Sequence, residues 1–140
     1  MDDEFERFYK AQANWYEIAL AEIKAGRKRS HWIWFIFPQL QALGRSNNAF
    51  YYGIMNLEHA KEYLDDIVLR ARLIEISEAL LELETNDAVK VMGNIDSMKL
   101  RSCMTLFHLA DPTCETFTKV LDKFFNGQLD EKTVALCKES

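Results

Sequence analysis

The chain reads as one all-α domain over residues 1–140, an irregular, orthogonally packed bundle of about seven or eight helices. Three observations predict it. Only two prolines and five glycines punctuate the sequence. Between them, apolar residues recur three and four positions apart rather than alternately, which is the helical period. A hydrophobic content of 49%, with 12% aromatic residues, supplies one sizeable core and excludes disordered, collagen-like and disulfide-scaffold classes.

The first helix is expected over 4–25, with Phe5, Phe8, Tyr9, Trp15, Tyr16, Ala19, Leu20 and Ile23 on one stripe and Gly26 as its left-handed stop. Gln12 falls inside that stripe, where an amide needs hydrogen-bonding partners. The run from Trp32 to Phe37 fits neither period cleanly, and residues 30–37 read as a buried helical turn or extended segment. Pro38 is expected to open a short helix that ends at Gly44. Ser46, Asn47 or Asn48 would cap a helix to about Ile54, Asn56 one over 57–64, and Asp65 or Asp66 a long one over 67–84. Thr85-Asn86-Asp87 restarts a helix that ends at Gly93, Asp96 caps 97–110, Asp111-Pro112 opens 113–126, and Asp130 caps 131–138.

Charge and cysteine usage narrow the functional classes. With 17 basic against 22 acidic residues the net charge is -5, so nucleic-acid binding through the one basic cluster, Lys24 to His31, is disfavoured. Cations after a helix C-terminus already complement its dipole. The longest apolar run is six residues, against roughly 20 for a bilayer span, so no membrane partner is expected. An acidic start without an apolar run predicts a cytoplasmic protein. Cys103, Cys114 and Cys137 share no C-x-x-C spacing and read as reduced thiols. His31, His59 and His108 show no ligand spacing, so neither a metal nor another cofactor is expected. His59, beside Glu58, Lys61 and Glu62, reads as a surface residue.

Polar residues embedded in apolar runs mark a candidate pocket. Arg29, Ser30 and His31 place a guanidinium, a hydroxyl and an imidazole before Trp32 and Trp34, a set suited to an anion beside a flat ring. In 96–108, Lys99, Ser102, Cys103 and Leu106 share a helix face, while Arg101 and His108 point the other way. That helix is apolar nearly all round, so Lys99 and Arg101 must snorkel or meet an anion. Cys103 and His31 form a nucleophile and base only if the fold joins them, and a buried thiol is usually inert.

The segments Gly26-Arg27-Lys28-Arg29-Ser30-His31-Trp32-Ile33-Trp34-Phe35-Ile36-Phe37-Pro38-Gln39-Leu40, Leu43-Gly44-Arg45-Ser46, Tyr52-Gly53-Ile54 and Lys99-Leu100-Arg101-Ser102-Cys103-Met104-Thr105-Leu106-Phe107 resemble the bacterial domain of unknown function 1810 over nearly the whole chain. The resemblance implies a mainly helical fold and motif positions at Gln12, Ser30, His31, Trp32, Trp34, Pro38, Gln39, Gly44, Ser46, Tyr52, Gly53, Lys99, Ser102 and Thr105, without a mechanism. Proteins of this kind are sometimes called calpastatin, but nothing in the residues supports protease inhibition. The family pattern has a second serine at Cys103 and His-Pro at Asp66-Ile67, which speaks against Cys103 as a nucleophile.

Two functional readings compete. In the favoured one, Gln12, Arg29, Ser30, Gln39, Lys99 and Ser102 converge on a small anionic, nucleotide-like ligand, with Trp32, Trp34 and Tyr52 as stacking walls. If the protein is an enzyme, which the sequence leaves open, His31 is the acid/base, because imidazole titrates near neutrality. In the other, the polar residues are core and capping groups of a helical interaction module or homodimer.

Overall fold

The computed structural model describes residues 3–139. Among them the chain runs through α1 (Glu6–Lys24), α2 (Ile33–Ile36), α3 (Asn47–Tyr52), α4 (Leu57–Asp65), α5 (Ile67–Leu81), α6 (Ala88–Met92), α7 (Asn94–Ala110), α8 (Glu115–Phe125) and α9 (Glu131–Glu139). Short 3₁₀ turns occupy Asp3–Phe5 and Gln41–Leu43, and no strand occurs among the described residues. The fold is therefore all-α, with nine helices among the described residues rather than seven or eight.

Side-chain caps set most helix starts. Ser46 accepts from the Ala49 N–H at 3.0 Å, Asn56 from His59 at 2.8 Å, Asp66 from Leu69 at 3.0 Å and Asp130 from Thr133 at 3.0 Å, each meeting an orphan donor of the first turn. Asp87 does the same for Val89 and Lys90. α7 lies at the centre and packs against α2, α4, α6, α8 and α9. Leu100 and the whole run from Ser102 to Phe107 are buried on it. Its polar side chains are met by back-bonding, Ser102 to the Met98 carbonyl at 3.1 Å and Thr105 to the Arg101 carbonyl at 2.8 Å.

Long-range contacts override the local signals at four places. Pro38 does not open a helix: residues 39–41 pair with Ile54, whose N–H donates to the Gln39 carbonyl at 2.9 Å and whose carbonyl receives the Gln41 N–H at 2.8 Å. That pairing brings two backbones together. A Cβ on Gly53 would overlap Gln41, and one on Gly44 would overlap Ala49, so both positions require glycine. Asp96 is not the cap of α7; Gly93, at φ +89°, starts the helix three residues earlier, and the Asp96 carboxylate turns to Lys28 at 2.8 Å. Tyr9 and Trp15 leave the core stripe of α1, each 36% exposed. His59 is buried rather than on the surface, its ring stacked on Phe5.

Gln12 sits on the core face of α1 and is fully engaged. Its Nε2 donates to the Phe35 carbonyl at 2.8 Å and to the Tyr63 hydroxyl at 3.3 Å, and its Oε1 accepts from Arg72 at 3.1 Å. One amide thus joins α1 to α2, α4 and α5. The loss of this bridge in Gln12→Leu lowers the unfolding free energy by about 2 kcal/mol, because buried polar partners are left unmet. Urea denaturation should read it as a lower midpoint at unchanged slope; an unchanged midpoint would refute the bridging role.

Candidate functional site

Three chain segments close around a groove of about 340 Å³: the 39–49 connection, the first half of α7, and the turn into α9. Gln39, Lys99 and Ser102 of the sequence-derived set meet there, joined by Arg45, Ser46 and Lys132. Leu43, Ile95 and Met98 make its apolar wall. Lys99 and Ser102 face the same way because they are three apart on α7.

The third wall is held in place by α7 itself. Arg101 donates to the Gln128 carbonyl at 3.2 Å and the Leu129 carbonyl at 2.7 Å. Thr105 accepts the Asp130 N–H at 2.9 Å. Asn126 and Gly127 reverse the chain at positive φ, and this pinned turn delivers Asp130 and Lys132 to the groove. Arg101 thereby has carbonyl partners instead of the solvent or anion expected.

Charge in the groove is unbalanced. Arg45, Lys99 and Lys132 line it against one carboxylate, Asp130, one of whose oxygens receives both the N–H and the hydroxyl of Thr133. Lys99 has only a distant carboxylate, Asp96 at 3.9 Å, which already pairs at 2.8 Å with Lys28. Its ammonium lies 5.3 Å from the centre of the Trp34 ring, a cation–π arrangement. Trp34 and Tyr52 line a smaller recess that shares Gln39 and Ala49 with the groove. The Trp34 indole N–H is buried there without a hydrogen-bond partner.

The Ser-His-Trp segment does not join this groove. Its anion is the protein's own Glu22 carboxylate, which accepts from the Arg29 N–H at 2.8 Å, the Ser30 N–H at 3.0 Å, the Ser30 hydroxyl at 2.6 Å and the Trp32 indole N–H at 2.9 Å. Ser30 and Trp32 are thus structural groups, Gln12 is engaged in the core, and the exposed Arg29 and His31 side chains lie outside the groove's lining. Burial would raise the Glu22 carboxyl, but these donors outweigh it and take it from 4.5 down to about 2. Arg45, Ser46 and Lys132 were missed as site residues. Leu43-Gly44-Arg45-Ser46 carried a signal as a motif; Lys132, on a polar helix start, carried none.

Two other clusters resolve differently. Glu4, His59 and Glu62 bring ligand-type atoms within 4.8 Å of one another, although they show no metal-ligand spacing along the chain. His59 Nδ1 accepts from the Met55 N–H at 3.0 Å, so the ring proton of the neutral imidazole sits on Nε2, facing Glu4 at 2.8 Å. A metal at Nε2 would have to displace that proton, so the cluster is read as an anchor held by the Met55 bond at Nδ1 and the close Glu4 carboxylate. Cys103 is fully buried, and desolvation pushes its thiol well above the usual range, which makes it a poor nucleophile. Cys103, Cys114 and Cys137 are free thiols.

The family model described as "Protein of unknown function (DUF1810)" matches residues 2–137. Among solved structures, a conserved hypothetical protein from Mycobacterium tuberculosis is 41% identical, with 96% of each chain covered and a TM-score of 0.94. No curated protein matches.

The Glu22 network predicts a pH signature. A carboxyl held below its unfolded value stabilises the fold fully above about 4.5, and this contribution fades as the pH falls towards 2. Glu22→Gln should be less stable than the parent by about 2 kcal/mol near neutrality, allowing for solvent screening. The gap should close on acidification. Chemical denaturation at several pH values measures it, and a gap independent of pH would contradict the assignment.

Proposed function

Because the chain belongs to the DUF1810 family of proteins of unknown function, function has to be read from the site, and we propose that the groove at Lys99 binds a small organic anion. The observation that carries this reading is the excess of Arg45, Lys99 and Lys132 over Asp130 in a chain whose net charge is -5. Gln39, Ser46 and Ser102 offer hydrogen bonds that orient a carboxylate or phosphate, and Leu43, Ile95 and Met98 offer contact to an apolar body. Neither imidazole nor thiol lines the groove, which favours binding over acid/base or nucleophilic catalysis there.

A thermal-shift screen of nucleotides, sugar phosphates and organic acids tests the reading. A ligand of the folded state raises the melting temperature, and at about 100-fold excess over Kd the gain is about 2.7 kcal/mol. Lys99→Met removes a charge-assisted contact and should weaken a hit about tenfold or more. Arg45→Ala, at an exposed position, should weaken it as well while leaving the melting temperature of the free protein unchanged. Hits that both variants keep at full strength would reject the groove.

A second reading, self-association, has one observation in its favour. Ile67 is 84% exposed and Val68 44% exposed at the start of α5, an apolar spot next to Ala71 and Ile74. If this face pairs, sedimentation gives a concentration-dependent dimer that Ile67→Lys abolishes. A monomer at all concentrations counts against it.

A further inference from the structure

Arg7, Lys10, Ala11, Asn14 and Trp15 follow the helical spacing and form one face of α1, beside its core stripe. Against this face stands the end of α3. The two enclose a cleft of about 300 Å³ whose aromatic walls include Trp15, Tyr51 and Tyr52. Trp15 is 36% and Tyr51 57% exposed. Tyr51 stands edge-on to Tyr52, with ring centres 4.8 Å apart, so one ring braces the other.

The polar lining has one sign. Arg7 and Lys10 are cations, Asn14 is an amide, and no acidic residue lines the cleft. Arg7 is anchored by the Glu4 carbonyl and lies 4.8 Å over the Phe8 ring, while its Nε is buried without a partner. Lys10 has only Glu6, 3.9 Å away with both groups exposed, a weak pair.

Flat π faces, two cations and an amide that can both donate and accept match the parts of a nucleotide better than those of a simple anion. Every base offers a face for stacking, a phosphate takes the cations, and an asparagine amide can read a base edge. The net charge of -5 disfavours a long phosphate backbone, but it leaves room for one phosphate at two local cations. We propose that this cleft binds a nucleotide unit, with its base stacked on Trp15 or Tyr51 and its phosphate at Arg7 and Lys10. The cleft shares no lining residue with the Lys99 groove, so the two proposals stand or fall separately.

The test titrates the full chain with adenosine monophosphate and with a short single-stranded oligoadenylate, at about 50 and 200 mM salt. At least one should bind, more weakly at the higher salt. Trp15→Ala should weaken binding about tenfold or more. Lys10→Ala should lower the salt slope by about one. Lys119→Ala, at an exposed position that lines neither cleft, should leave binding unchanged. Equal affinity for the mononucleotide and the oligomer assigns a free nucleotide, and binding of the oligomer alone assigns a nucleotide within a strand. The proposal is overturned if neither binds at low salt, or if Trp15→Ala and Tyr51→Ala, melting like the parent, bind as the parent does. Lys10, 77% exposed, gives a variant that keeps the test decisive should Trp15→Ala not fold.

Discussion

Everything in this fold is arranged around a helix that is apolar on nearly every side and therefore has to be buried on nearly every side. α7 carries Asp96, Lys99, Arg101 and His108 among its 17 residues, and an unmatched charge in such a position is prohibitively expensive. Each of the first three is resolved by a neighbour. Asp96 takes Lys28 from the loop after α1, Arg101 takes two carbonyls from the turn before α9, and Lys99 lies against Trp34. The ties that relieve α7 also determine where the surrounding loops lie. The groove at Lys99 follows from this, because two of its walls are α7 and the turn that Arg101 and Thr105 hold.

The Glu22 network answers the same problem on another helix. A carboxylate near the end of α1 faces a loop rich in cations, yet its oxygens accept from backbone N–H groups, a hydroxyl and an indole rather than from a guanidinium or ammonium. Charge-assisted bonds of this kind are roughly twice as strong as neutral ones. They hold Trp32 and the 29–30 backbone, while Lys28, paired with Asp96, fixes the same loop from the other side. The basic cluster is thus divided. Lys28 is structural, and Arg27 and Arg29 remain at the surface.

Local signals were legible where the deciding partner lies within a turn. Ser46, Asn56, Asp66, Asp87 and Asp130 are caps because their partners are two or three residues away. Asp96 looks the same in sequence and is no cap, because its partner Lys28 lies 68 residues upstream. Pro38 and His59 fail as local readings for a similar reason, their surroundings being set by Ile54 and Glu4. The site divides along the same line. Polar residues inside apolar runs include Gln39, Lys99 and Ser102, which meet in the groove, but the same pattern arises when a polar group is satisfied internally, as at Gln12, Ser30 and Trp32. Sequence alone does not separate an amide that meets the core from one that meets a ligand. Lys132 lay beyond reach altogether, since only the closure of the 126–130 turn brings it to α7.

Net charge is a poor guide to such a surface. Fixed charges are screened beyond about 8 Å at physiological ionic strength, so an anion brought to Lys99 or Lys10 would respond to its immediate neighbours rather than to the chain's sum of -5. Near the groove those neighbours are largely engaged: Asp96 with Lys28 and Asp130 with Thr133. Elsewhere Glu22 is held by the 29–32 loop and Glu75 by Tyr16. Carboxylates that close the fold hold their partners at hydrogen-bond distance and are less available to neutralise other cations. An acidic protein can therefore present locally cationic recesses because its structural bonds occupy the anions that would otherwise fill them.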